Sequence, residues 1–107
     1  MTMFDDSERA QEAKFAHDEE MKFKVHARRN RLLGHWAAKQ MGLNAAEAEE
    51  YAKGVVDADF EEAGDADVIR KLLGDLVSAG VEISDAEIRN ALEAKDLEAR
   101  AQLLGNA

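Results

Sequence analysis

No proline occurs anywhere in the 107 residues, and no stretch sustains the apolar–polar alternation of a sheet strand. Without proline nothing forces a helix to break, and the many alanines with a 35% load of Asp, Glu, Lys and Arg favour helix throughout. The chain therefore reads as all-α. Its length suits one modest core and no second domain. With no cysteine, disulfides, thiolate-bound zinc and a cysteine nucleophile are excluded. No apolar stretch approaches the roughly 18 residues of a membrane span, and the opening MTMFDDSERA is acidic where a secretory or transit peptide is basic. The expectation is a cytoplasmic protein.

Glycines and capping residues divide the helix into pieces. Gly42 closes the first, and Asn44 with Glu47 forms a capping box that opens a second carrying Ala48, Tyr51, Ala52, Val55, Val56 and Phe60. Gly64 ends that helix and Asp65 is placed to cap a third. The third carries the densest apolar stripe of the chain, Val68, Ile69, Leu72, Leu73, Leu76 and Val77, and stops at Gly80. Ser84 and Glu87 form another capping box, with Ile83 and Ile88 as a hydrophobic staple across it, and a fourth helix follows with Ile88, Ala91, Leu92, Ala99 and Leu103. Helices over about 21–42, 45–63, 66–79 and 85–104, joined by short loops, imply an up-down four-helix bundle.

Lengths set the first helix apart. The second spans about 28 Å at 1.5 Å per residue, whereas a helix from Asp5 to Gly42 would span about 57 Å. A compact chain of this size has a radius of gyration of about 13 Å. Residues 21–42 can pack beside the other helices; residues 1–20 must overhang, fold back or stay disordered, and are read as an arm that is mobile when free. Within residues 21–42, Met21, Val25, Leu32 and Trp36 share one face, while Phe23, Ala27, Gly34, Ala37 and Met41 lie roughly opposite. Either strip can be the deeper one, and Trp36 is read as core.

Charge is distributed in blocks. The net charge is −9, yet residues 1–20 hold seven acids and two bases, residues 21–42 hold six bases and no acid, and residues 43–68 hold nine acids and only Lys53. Like-charge blocks are usually solvated faces, and here the basic block can also be set against the acids that follow it. Each exposed pair contributes only about 0–1 kcal/mol, so such an arrangement orients helices more than it stabilises them.

The inventory for catalysis is thin. Ser7, Ser78 and Ser84 have no base at a recognisable spacing. His17, His26 and His35 recur every nine residues, half a turn out of phase on a helix, so no two can form the four-residue pair that a zinc site needs. No loop frames the carboxylates for calcium, and Gly42, Gly64, Gly74 and Gly80 do not make a phosphate loop. A non-enzymatic protein without a required cofactor or metal is expected. The arm remains: Phe4 and Phe15 are eleven residues apart on one helical face, among Ala10, Ala13, Ala16 and many charges. That is too little apolar surface for a core, but it suits a segment that orders in a partner's groove.

The string FDDSERAQEAKFAHDEE (Phe4 to Glu20), followed by Phe23–Lys24, ARRNRLLGHWAA (Ala27 to Ala38) and DFEEAGD (Asp59 to Asp65), resembles the zeta-subunit family, the ATPase inhibitor subunits of alphaproteobacterial F-type ATP synthases. The resemblance runs through most of the chain and is strongest over residues 4–42. It implies a four-helix regulatory protein whose N-terminal arm enters an interface between catalytic subunits beside the rotor shaft and blocks hydrolysis. Carried onto this sequence, the contacts are Phe4, Asp5, Asp6, Glu8, Arg9, Glu12, Ala13, Lys14 and Phe15. The resemblance also implies ADP or ATP as a regulatory ligand of the bundle; no motif locates it, and Arg28, Arg29 and Arg31 are selected on charge alone. The free chain is read as a monomer, held at the inner membrane only through the synthase. Ser7 stands where a basic residue is expected and Gln11 where a ring-bearing residue is common, so this member is expected to inhibit weakly.

Three other readings compete. Lys22 to Arg31, KFKVHARRNR, could track a nucleic-acid backbone, against which stand the −9 charge and the adjoining acidic arm. The arm could also mediate self-association. His17 could act as a pH sensor by losing its charge near neutrality.

Overall fold

The turns decide where the helices stop. In the computed structural model, residues 3–61 and 65–105 are described, with side chains over 18–58 and 65–105. They form α1 (Met3–Gln40), α2 (Ala45–Glu61), α3 (Asp65–Ser78) and α4 (Asp85–Leu104), with no strand among the described residues. Gly42 and Gly80 follow α1 and α3 at φ 75° and 83°, in the left-handed region that costs glycine little and other residues more. Both capping boxes form. Asn44 Oδ1 accepts from the Glu47 amide at 2.8 Å while the Asn44 amide donates to Glu47 Oε1 at 2.9 Å. Ser84 Oγ accepts from the Glu87 amide at 3.2 Å, and the Ser84 amide donates to Glu87 Oε1 at 3.3 Å. Ile83 and Ile88, on either side of that box, both join the core.

α1 is the long element, 38 residues against 14 to 20 in the others, or about 57 Å of helix. The molecule is accordingly elongated, 65 × 27 × 24 Å, with a radius of gyration of 17.5 Å where a compact chain would have about 13 Å. α1 packs along α2 and α4 and meets α3 as well. The helix thus runs unbroken through residue 21, and its N-terminal part overhangs the bundle.

The core is built from Leu33 and Ala37 of α1, Val55 of α2, Val68, Ile69, Leu72 and Leu76 of α3, and Ile88 and Leu92 of α4. Trp36, Met41, Tyr51 and Leu73 pack against it half-buried. Neither strip read from the α1 sequence is the buried one. The inward line is Val25, Arg29, Asn30, Leu33, Gly34, Ala37 and Ala38, which takes Val25 from the edge of one strip and Gly34 and Ala37 from the other, fills the space between them, and includes an arginine and an asparagine. Val77, at the end of the α3 stripe, is exposed.

α1 and α2 touch most closely at Gly34. A Cβ there would lie 2.7 Å from the Ala52 Cα and 3.2 Å from both Ala52 Cβ and Val55 Cγ2, so only glycine lets the two backbones approach this far. α2 and α3 are joined through Tyr51, whose hydroxyl donates to Asp75 Oδ2 at 2.6 Å while Lys71 Nζ donates to the same oxygen at 3.1 Å. Burial, and after it the bond to Asp75 and its charge, push the phenol far above its ordinary range.

Candidate functional site

Two regions of α1 carry the residues singled out in the sequence. Phe4, Asp5, Asp6, Glu8, Arg9, Glu12, Ala13, Lys14 and Phe15 stand on the helical backbone of its N-terminal part; their side chains lie outside those described. Among the described side chains of α1, the first that is deeply buried is Val25. The arm is therefore carried by the same continuous rod that anchors the bundle.

The basic block, the second region, separates into two sides because consecutive helical residues are turned by about 100°. Arg28 and Arg31, together with Phe23, Lys24 and Ala27, line a groove that is closed by Glu49, Lys53, Val56 and Asp57 of α2 and Leu103 of α4. It encloses about 470 Å³. Its floor is apolar, with Phe23 more than half exposed, and four cations face two carboxylates around it. Arg31 Nη2 lies 2.6 Å from Glu49 Oε1, and His35 Nε2 lies 3.2 Å from Glu49 Oε2, so one α2 carboxylate holds two α1 side chains. Arg28 Nη1 donates to Gln102 Oε1 at 2.8 Å, tying α1 to α4, and Lys24 pairs with Glu20 at 3.3 Å.

Arg29 points elsewhere. Its side chain is 3% exposed, its Nε donates to Asn30 Oδ1 at 3.0 Å, and its Nη2 sits 3.0 Å from Asp65 Oδ1. That last contact is an ion pair without the alignment of a directed hydrogen bond. Asp65 opens α3, where a carboxylate is also favoured by the helix dipole. Arg29 thus fastens the start of α3 to α1. The three arginines chosen on charge form no single cluster: two face the groove and one braces the fold. Glu49, Lys53, Val56 and Asp57 were missed as site residues because the acidic block of α2 reads as a solvated face; only the expected setting of bases against acids pointed to it.

Among the described residues no group of His, Cys, Asp or Glu is arranged to hold a metal ion, and no helix is long and apolar enough to cross a membrane.

An independent comparison decides the family. The model for ATPase inhibitor subunit zeta matches residues 1–102. The chain belongs to that family. This zeta-family chain is also similar to a protein solved in solution by NMR, at 47% identity and a TM-score of 0.71, over 81% of this chain and 99% of the other. No curated protein matches it. Membership makes it a regulatory subunit of the inhibitor type, and both the matched span and the four-helix architecture agree with the resemblance read from Phe4 to Asp65.

Proposed function

We propose that this protein binds an F-type ATP synthase and stops ATP hydrolysis mechanically, by inserting residues 1 to about 17 at a catalytic-subunit interface beside the rotor shaft. The observation that carries this reading is the form of α1: one uninterrupted helix whose N-terminal part extends beyond the bundle formed by the rest of the chain. Phe4 and Phe15 are the anchors, since aromatic side chains buried at an interface supply most of its affinity. Asp5, Asp6, Glu8, Arg9, Glu12, Ala13 and Lys14 set register and orientation. The bundle is the handle. The free protein is a monomer and reaches the membrane surface only through the synthase.

Ser7 and Gln11 make this a weakly inhibiting member, having lost a charge and an anchor. A lost anchor commonly costs about 2 kcal/mol, more than tenfold in affinity. Ser7→Arg with Gln11→Phe should then lower the concentration for half-inhibition at least tenfold, and unchanged potency would remove the argument. The basic block offers less to a nucleic acid than its sequence suggests, because Arg29, one of its cations, is buried and paired with Asp65. The reading as a whole is tested by adding the intact protein, or a version lacking residues 1–17, to the synthase and following ATP hydrolysis: only the intact protein should inhibit.

A further inference from the structure

The groove at the root of the arm is not used by that reading, and its chemistry is unusual for this molecule. On a chain of net charge −9, Lys24, Arg28, Arg31 and Lys53 outnumber Glu49 and Asp57 in a lining with an apolar floor of Phe23, Ala27, Val56 and Leu103, while Glu20 and Glu50 stand at its edge in exposed pairs with Lys24 and Lys53 that a partner's carboxylates can replace. Phe23 is 56% exposed, a large aromatic surface on an otherwise charged stretch of helix. We infer that this groove is a second docking surface for the ATP synthase and takes an acidic amphipathic helical segment that lies beside the mouth of the cleft entered by the arm. The inference rests on the proposed function for the identity of the partner, and on the groove for the chemistry.

Position argues for it first. Because α1 is unbroken from Met3 to Gln40, seating the arm fixes where the groove goes. Phe23 follows His17 by six residues, about 9 Å along the axis, and Arg31 lies about 12 Å further. A helix inserted as far as His17 therefore holds this groove within about 9 to 21 Å of the mouth of the cleft, measured along α1. Charge argues next. Lys24, Arg28 and Arg31 are spaced by four and three residues along one side of α1, which matches carboxylates one turn apart on an antiparallel helix, and Lys53 faces them from α2. Such complementarity speeds encounter and selects the partner, while the apolar floor gives the segment something to bury.

The spacing also exposes a rival occupant. Asp5, Glu8 and Glu12 repeat the intervals of Arg31, Arg28 and Lys24 in reverse, so an arm folded back on its own bundle would find the same pairing. The continuous α1 makes the partner the better choice, because folding back requires breaking that helix near residue 18.

The test uses the full chain with Lys24→Glu, Arg28→Glu and Lys53→Glu combined, all three sites exposed, after thermal melting shows the fold intact. At low salt the concentration for half-inhibition of the synthase should rise about tenfold or more, with the extent of inhibition at saturation retained. A second full-length variant, Phe4→Ala with Phe15→Ala, should still bind immobilised synthase without inhibiting it, and the three reversals should abolish that residual binding. If the native protein inhibits and the reversals change neither measurement, the groove inference fails while the proposed function stands. If the reversals tighten inhibition, the groove holds the chain's own arm and the inference is overturned in favour of that occupant. If the native protein neither binds nor inhibits, the proposed function fails first.

Discussion

The two halves of α1 are the same element made for opposite purposes. From Val25 onward its inward line meets α2, α3 and α4, and its charges close onto Glu49, Asp65 and Gln102. Residues 3–20, seven of them acidic, precede every residue of the described core. A single helix thus joins a region whose side chains are answered within the chain to one whose sequence asks for an answer elsewhere. The lesson is that helix propensity does not separate the two halves; the sign of their charge does, and so does the length of bundle available to pack against.

That contrast predicts a division of effects, beginning with the largest. Phe4→Ala with Phe15→Ala should weaken inhibition of the synthase more than a hundredfold, at about 2 kcal/mol or more for each lost anchor. The same double variant should leave the melting temperature unchanged, since the arm is proposed to order on the partner and not on the bundle. A clear drop in melting temperature would mean that the arm belongs to the fold.

Arg29→Ala should do the converse. Removing a buried guanidinium that packs between Asn30 and Asp65 should cost about 3 kcal/mol in urea unfolding, whereas Arg28→Ala next to it should stay within about 0.5 kcal/mol. Equal effects would show that the two arginines do not differ as their burial implies. Gly34→Ala should then cost about 2 kcal/mol despite alanine's better helix propensity, because the new methyl group meets the Ala52 backbone. Gly74→Ala, in open space on α3, should instead stabilise by about 0.5–1 kcal/mol. Unfolding curves for the pair decide the point: two changes of the same sign would remove the close α1–α2 approach from the account.

The smallest effect concerns pH. Tyr51 stays neutral in the folded protein well above the range in which an unfolded tyrosine ionises, near pH 10. The unfolded chain therefore loses this proton first, so the stability present below pH 10 should fall as pH rises above it, with a slope well under the roughly 1.4 kcal/mol per pH unit of a fully buried group because Tyr51 is only half-buried. Tyr51→Phe should flatten that part of the curve, and an unaltered alkaline slope would count against the half-buried Tyr51–Asp75 bond.

Much of the fold was legible because its signals are local. Asn44 with Glu47 and Ser84 with Glu87 mark helix starts within four residues, and the α3 stripe needs only helical period to show its buried face. α1 defeats the same method. Helices lie on several of its sides, so apolar residues occur all round it, and the true inward line passes through Arg29 and Asn30, which no hydrophobicity pattern selects. Leu33 was hidden for the same reason, since it falls between the two strips traced through Leu32 and Gly34. Beyond Phe4 and Phe15, whose spacing places them on one helical face, the proposed arm contacts came from family resemblance alone, because a segment completed by a partner carries no internal pattern that proves it. The groove needed three dimensions: Lys24, Arg28 and Arg31 become a site only when α2 brings Lys53 and Val56, and α4 brings Leu103, to the same place.

The central claim is that inhibition resides in the arm half of α1 and stability in the bundle half. The most direct measurement is ATP hydrolysis by the purified synthase, titrated with the intact protein and with residues 18–107, alongside the melting temperature of each. The account requires inhibition by the intact protein, none by the shortened one, and closely similar melting temperatures. Inhibition retained by residues 18–107 would contradict it and move the inhibitory element into the bundle.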